Sequence, residues 1–128
     1  MKKSFYLFIA HGSRETKSNE ALLDLVEKFK SIYHMPNVKG AFLELATPLI
    51  PEGIDLCVAD GATEIMIVPL MLFEGRHVGR DIPLIISEAQ NKYPNVGFHY
   101  LGAFADPTSL DGLMHFLKGK IESYQKNQ

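Results

Sequence analysis

The chain has 128 residues, 46% hydrophobic and 22% charged, the size and balance of one ordinary globular domain with a continuous core. Its formal net charge of −2 comes without a Lys/Arg run or basic stripe, which excludes a polyelectrolyte partner such as nucleic acid, and no apolar stretch approaches the roughly 20 residues of a membrane span. The single cysteine, Cys57, excludes an internal disulfide, suits a reducing cytoplasm and reads as a small apolar helix residue.

The start, "MKKSFYLFIAHGS", sets lysines before an apolar run as a signal peptide does. That run is only about seven residues and reads as a first strand, Phe5 to Ala10. Leu22, Leu25, Val26, Phe29, Ile32 and Tyr33 then recur at helical spacing and predict a helix with one buried stripe. A second strand is expected over Val38 to Leu45. A short helix begins within "TPLIPEG", with Pro48 or Pro51 in its first turn and Gly61 as its C-cap. The third strand is expected over Glu64 to Leu72. The next helix opens near Asp81, whose carboxylate caps free N–H groups, and turns Ile82, Ile85, Ile86 and Ala89 inward. A fourth strand, Val96 to Leu101, precedes a helix that starts at Asp106–Pro107 and sets Leu110, Leu113, Met114, Leu117 and Ile121 on one face.

Four strand–helix units without a linker predict a single α/β domain over residues 1–128, a three-layer sandwich around a four-stranded parallel sheet. The first and third runs are almost continuously apolar, as in strands covered on both faces. With the first strand central and the order 2-1-3-4, the sheet reverses direction between strands one and three, where open parallel sheets bind ligands. His11 ends strand one, His77 follows strand three, and Glu44 lies near the end of strand two. Neighbouring strands are about 4.8 Å apart, so two imidazoles above adjacent strand ends can share one ion.

Two neutral imidazoles and a carboxylate suit Co²⁺, Ni²⁺, Fe²⁺ or Zn²⁺ in an open, labile site. A lone loop histidine is ordinarily solvated, whereas two at corresponding strand ends point to a shared site. Arg14, Arg76 and Arg80 read either as solvated charges or as contacts to an anionic organic partner. Gly12, Gly75 and Gly79 allow backbone to approach a flat or bulky ligand. Glu44 among apolar neighbours needs a partner. His34, His99 and His115 read as surface or satisfied residues, and Met66 and Met71 as core. No phosphate-binding loop of the Walker type is present.

Taken together, "AHGSR", "AFLELATP" and "VPLMLFEGRHVGRDIP" resemble the small CbiX-type chelatases of the class II group, over roughly Phe5 to Leu117. The G-x-H-x-x-x-D-I-P core is the specific part; "HGS" alone is weak. The resemblance implies a chelatase-type α/β fold and ATP-independent insertion of Co²⁺, Ni²⁺ or Fe²⁺, as substrate, into sirohydrochlorin for cobalamin- or sirohaem-type biosynthesis, with no organic cofactor. It implies that His11 and His77 hold the metal and that His11 also accepts ring protons. Glu44 and the loop Met71, Leu72, Phe73, Glu74, Gly75 and Arg76 would contact the tetrapyrrole, and Arg14 and Arg80 are further anion contacts. Longer relatives carry two such units, so a homodimer is implied for this chain, with an isologous interface. The histidine-rich insertion of some short relatives is missing. Two rival readings use the same residues. One is a non-catalytic metal or tetrapyrrole carrier. The other is a histidine-nucleophile phosphatase, but there Ala10 stands where an arginine is expected.

Overall fold

The structure, a computed structural model, describes residues 1–128. Its elements are β1 (Ser4–Ala10), α1 (Thr16–Tyr33), β2 (Val38–Phe42), α2 (Ile50–Ala59), β3 (Glu64–Pro69), α3 (Gly75–Lys92), β4 (Gly97–Tyr100) and α4 (Leu110–Lys126). All strand pairs are parallel and the order is β2-β1-β3-β4. The sandwich of the sequence reading is therefore present, with Phe8 of β1 between Gly40 of β2 and Val68 of β3.

Alternation along β1 divides the core. Phe5, Leu7 and Ile9 point to one side, where Ile65 and Ile67 join Ile50, Ile54 and Cys57 of α2 and Val78, Ile82 and Ala89 of α3. Phe8 points to the other side and packs with Val38, Phe42 and the buried Leu22 and Val26 of α1. Burying a side chain of this size contributes about 1.5–3 kcal/mol. Leu25, Ile32 and Tyr33, expected in the same stripe, are exposed, because α1 covers only the β1–β2 half of its face.

Several boundaries differ from the sequence reading. Pro51, not Pro48, sits in the first turn of α2; Pro48 follows a cis peptide bond outside the helix, and the Glu52 carboxylate accepts from the Leu49 N–H at 2.9 Å. Asp60 is the C-cap, and Gly61 follows it at φ 99°, a left-handed conformation glycine adopts without strain. α3 begins at Gly75 rather than near Asp81, so Asp81 caps nothing and Pro83 lies inside the helix. Asp106 and Pro107 lie in a turn that precedes α4. Only Leu113 of α4 is even half-buried, so its apolar stripe covers no core in this chain.

Candidate metal centre

The backbone ladder outlasts the strands, and this places the site. Leu43 N–H donates to the Ala10 carbonyl at 2.9 Å and Glu44 N–H to the His11 carbonyl at 3.1 Å. The two loops close so tightly that a Cβ on Gly12 would lie 1.7 Å from the Glu44 carbonyl oxygen, and Gly12 itself sits at φ 95°. Only glycine fits there. The loop is anchored on its other side by Asn19, which accepts from the Ser13 N–H at 3.0 Å and donates to the Ser13 carbonyl at 2.7 Å. As a result His11 Nε2 stands 3.4 Å from Glu44 Oε1, both side chains about half exposed.

His77 reaches the same rim from the first turn of α3, not from a loop. Its ring centroid is 6.3 Å from that of His11, with the planes 42° apart. Two imidazoles on one ion, through bonds of about 2.1 Å, have centroids roughly 5–6 Å apart, so a small rotation brings this pair onto a common cation. His77 Nε2 meets Asp81 Oδ2 at 3.1 Å, and Arg80 Nη2 donates to His77 Nδ1 at 3.2 Å. The neutral imidazole with its proton on Nε2 satisfies both contacts. Arg80 also holds Asp81, at 3.2 Å, so the three side chains form a closed set that fixes the His77 ring. To ligate through Nε2, His77 must release Asp81. No three His, Cys, Asp or Glu side chains already form a metal shell, which leaves an open rim in place of a closed structural site.

A groove of about 280 Å³ adjoins the rim, lined by Leu43, Glu44, His77, Asp81, Leu84, Ile85 and Glu88. Leu84 in its lining, and Leu45, Leu72 and Phe73 in the segments that carry Glu44 and lead to His77, expose large apolar side chains, Phe73 at 71%. Such exposure beside polar groups is the profile of a surface for a flat apolar ligand. Arg14 and Arg76 are exposed, whereas Arg80 is engaged with His77 and Asp81 and is not a free anion contact. Glu74 accepts a hydrogen bond from the Tyr100 hydroxyl, which ties the Met71–Arg76 segment to β4. Burial, followed by that carboxylate, pushes the Tyr100 hydroxyl well above the usual phenol range.

Of the remaining histidines, His34 is the left-handed C-cap of α1, His99 pairs with Glu64 at 2.9 Å, and His115 is exposed on α4. None approaches the rim pair. Sequence reasoning missed Asp81 as the partner of His77. The signal was the i, i+4 spacing, which sets the two on one helix face once His77 is recognised as helical.

The CbiX family model matches residues 6–115 of the chain. The chain belongs to the CbiX family. Among CbiX relatives, it is 37% identical over 94 residues to the sirohydrochlorin ferrochelatase of Priestia megaterium, covering 73% of this chain and 35% of that protein. It is 32% identical over 117 residues to the sirohydrochlorin cobaltochelatase of Sulfolobus acidocaldarius, covering 91% of this chain and 88% of that one. The solved structure of the sirohydrochlorin chelatase SirB from Bacillus subtilis subspecies spizizenii, in complex with cobalt, superimposes with a TM-score of 0.74 at 33% identity, over 93% of this chain and 51% of SirB. The chain spans only about a third of the length of the bacterial ferrochelatases it matches, 35% and 38% of those from Priestia megaterium and Bacillus subtilis.

Proposed function

We propose that this CbiX chain inserts a divalent ion, Co²⁺ above Ni²⁺ or Fe²⁺, into sirohydrochlorin without ATP. The observation that carries the proposal is the rim itself: two imidazoles 6.3 Å apart, a carboxylate 3.4 Å from one of them, and exposed apolar side chains around them. The relatives' names supply the substrate class, a polycarboxylate macrocycle and a transition ion.

Insertion releases two pyrrole protons while the ion trades its ligands for ring nitrogens. In this reading His11 and His77 hold the incoming ion. His11, freed as the ion passes to the ring, accepts the two ring protons one after the other and hands each to Glu44, whose half-exposed carboxylate returns it to water. Arg80 and Asp81 hold the His77 ring until ligation. Leu72 and Phe73 lie against the macrocycle with the rest of the Met71–Arg76 segment, Glu74 and Gly75 included, and Arg76 and Arg14 meet its carboxylates. One chelatase-like unit spans residues 1–128, works in the cytoplasm, and pairs with a second copy; the 51% coverage of SirB supports the last point.

The test is to incubate the purified chain anaerobically with sirohydrochlorin and each of Co²⁺, Ni²⁺ and Fe²⁺ and to follow the absorption spectrum. Metallation well above the protein-free rate is expected. Binding of ring or ion without acceleration would make the protein a carrier and overturn the proposal.

A further inference from the structure

The sheet is finished on one face and open on the other. α2 and α3 bury Ile65 and Ile67 from one side of β3 completely. On the opposite side the α1 cluster of Phe8, Val38 and Phe42 extends over β3 only as far as the half-buried Val68 and Leu70 at its carboxyl end. Beyond it Met66 is half-buried, while its β4 neighbour His99 and the following Leu101 are exposed. A parallel sheet ordinarily carries helices on both faces, so the strip from Met66 across β4 on this face lacks its cover.

α4 has the converse defect. Leu110, Leu113, Met114, Leu117 and Ile121 form an apolar stripe, yet no residue of the helix is buried. Gly112 and Gly119 each cost about 1 kcal/mol against alanine in a helix interior. Ser109 makes no side-chain cap. A helix of 17 residues so composed depends on packing for its stability.

The connector keeps these two surfaces apart within one chain. Phe104 N–H donates to the Met71 carbonyl at 2.8 Å and Ala105 N–H to the Leu72 carbonyl at 3.1 Å, and Ala103 is buried. Asp106 accepts from the Thr108 N–H at 3.2 Å and closes the turn. Beyond this anchored connector α4 buries no residue against its own sheet.

We propose that α4 is exchanged between two copies of the chain, each copy's α4 lying across the other's open β3–β4 face. This deepens the two-copy assembly proposed above and is independent of the reaction. Taken as about 25 Å long and 10 Å wide, each helix hides a strip of itself and of the sheet, so the two contacts cover on the order of 1,000 Å². That approaches the roughly 1,200 Å² at which specific interfaces begin, before any other residue touches.

The test uses cysteines on the two surfaces of the full chain, Met66→Cys and Leu117→Cys; the native Cys57 is buried and stays out of the exchange. The two single variants are co-expressed, purified together, mildly oxidised and run without reductant. A cross-linked band at twice the 14.3 kDa of one chain, at least tenfold stronger than from either variant alone, is expected. If Met66→Cys fails to fold, Leu101→Cys takes its place on the same face. An internal disulfide within single chains of the double variant would mean that α4 folds back on its own sheet. Equal cross-linking by Leu117→Cys alone would mean that helix packs on helix. Either result overturns the proposal, as does a wild-type chain that elutes as a monomer at tens of micromolar, or no bond in any sample. None of these readouts involves metal or tetrapyrrole, so failure here leaves the chelatase reading untouched, and the reverse.

Discussion

His11 combines two duties on one imidazole, and its position makes both possible: half exposed at the end of β1, with Glu44 at 3.4 Å and His77 across the rim. His11→Ala is expected to lower insertion by about 100-fold or more, the range of a lost general base, while circular dichroism stays native. Normal metallation at limiting metal would refute the role. Asp81 acts one step back. Asp81→Asn keeps the shape but weakens the contact that His77 Nε2 must release to ligate, so metal affinity is expected to rise about 2–5-fold, with the tetrapyrrole affinity unchanged. Equal losses for both ligands would point to general damage to the groove. Cys57 supplies a check on the core. Burial, offset in part by Lys39, raises its thiol to about 11. It should therefore resist thiol reagents at pH 8 in the folded chain and react only on unfolding. Prompt modification of the native protein would show that α2 does not pack as described.

At the scale of elements, the site depends on how closely the β1 and β2 exits approach. Gly12→Ala forces a Cβ toward the Glu44 carbonyl from a left-handed backbone, a strain of at least about 2 kcal/mol. A fall in Tm of roughly 6–10 °C is expected, together with loss of insertion. An unchanged Tm would mean the loops have room to part. The opposite end of the sheet sets an acid limit. The Ser4 hydroxyl, donating at 2.7 Å, and Lys2 hold the Glu64 carboxyl below the usual carboxylate range. A depressed carboxyl stabilises the fold above its unfolded pKa, near 4.3, and that contribution disappears as pH falls through the lowered folded value. Ser4→Ala should thus lower Tm at pH 7 and lower it progressively less as pH falls below about 4.3; a drop that does not shrink with pH would assign the effect to packing.

These elements also mark how far the sequence could be read. The apolar runs of β1 and β3, the βα alternation and the strand order follow from periodicity, and the histidines at two strand ends follow from that order. The start of α3 does not, because Ile82–Pro83 imitates a first helical turn, where proline is most at home, and so hides the turn that carries His77. Asp81 consequently reads as a cap in the sequence although it lies inside the helix. The stripe on α4 is equally plain in the sequence, yet spacing alone does not say what covers it, and in the chain by itself nothing does.

For the whole molecule, a closed face under α2 and α3 supports a rigid rim, while the strip of the other face beyond α1 and the stripe of α4 are left uncovered in the single chain. No helix is long and apolar enough to cross a membrane. The fold thus supplies two imidazoles on independent segments, the loop leaving β1 and the first turn of α3, that meet only when the sheet is formed, so ion binding should stabilise the folded chain by mass action. The most direct test is a Co²⁺ titration of the wild-type chain, His11→Ala and His77→Ala, following the cobalt absorption bands and X-ray absorption at the metal. One ion per chain with imidazole nitrogen in its shell is expected for the wild type, with binding weakened at least tenfold in each variant. Cobalt bound as tightly by both variants, or a shell without imidazole, would contradict the shared site on which the account rests.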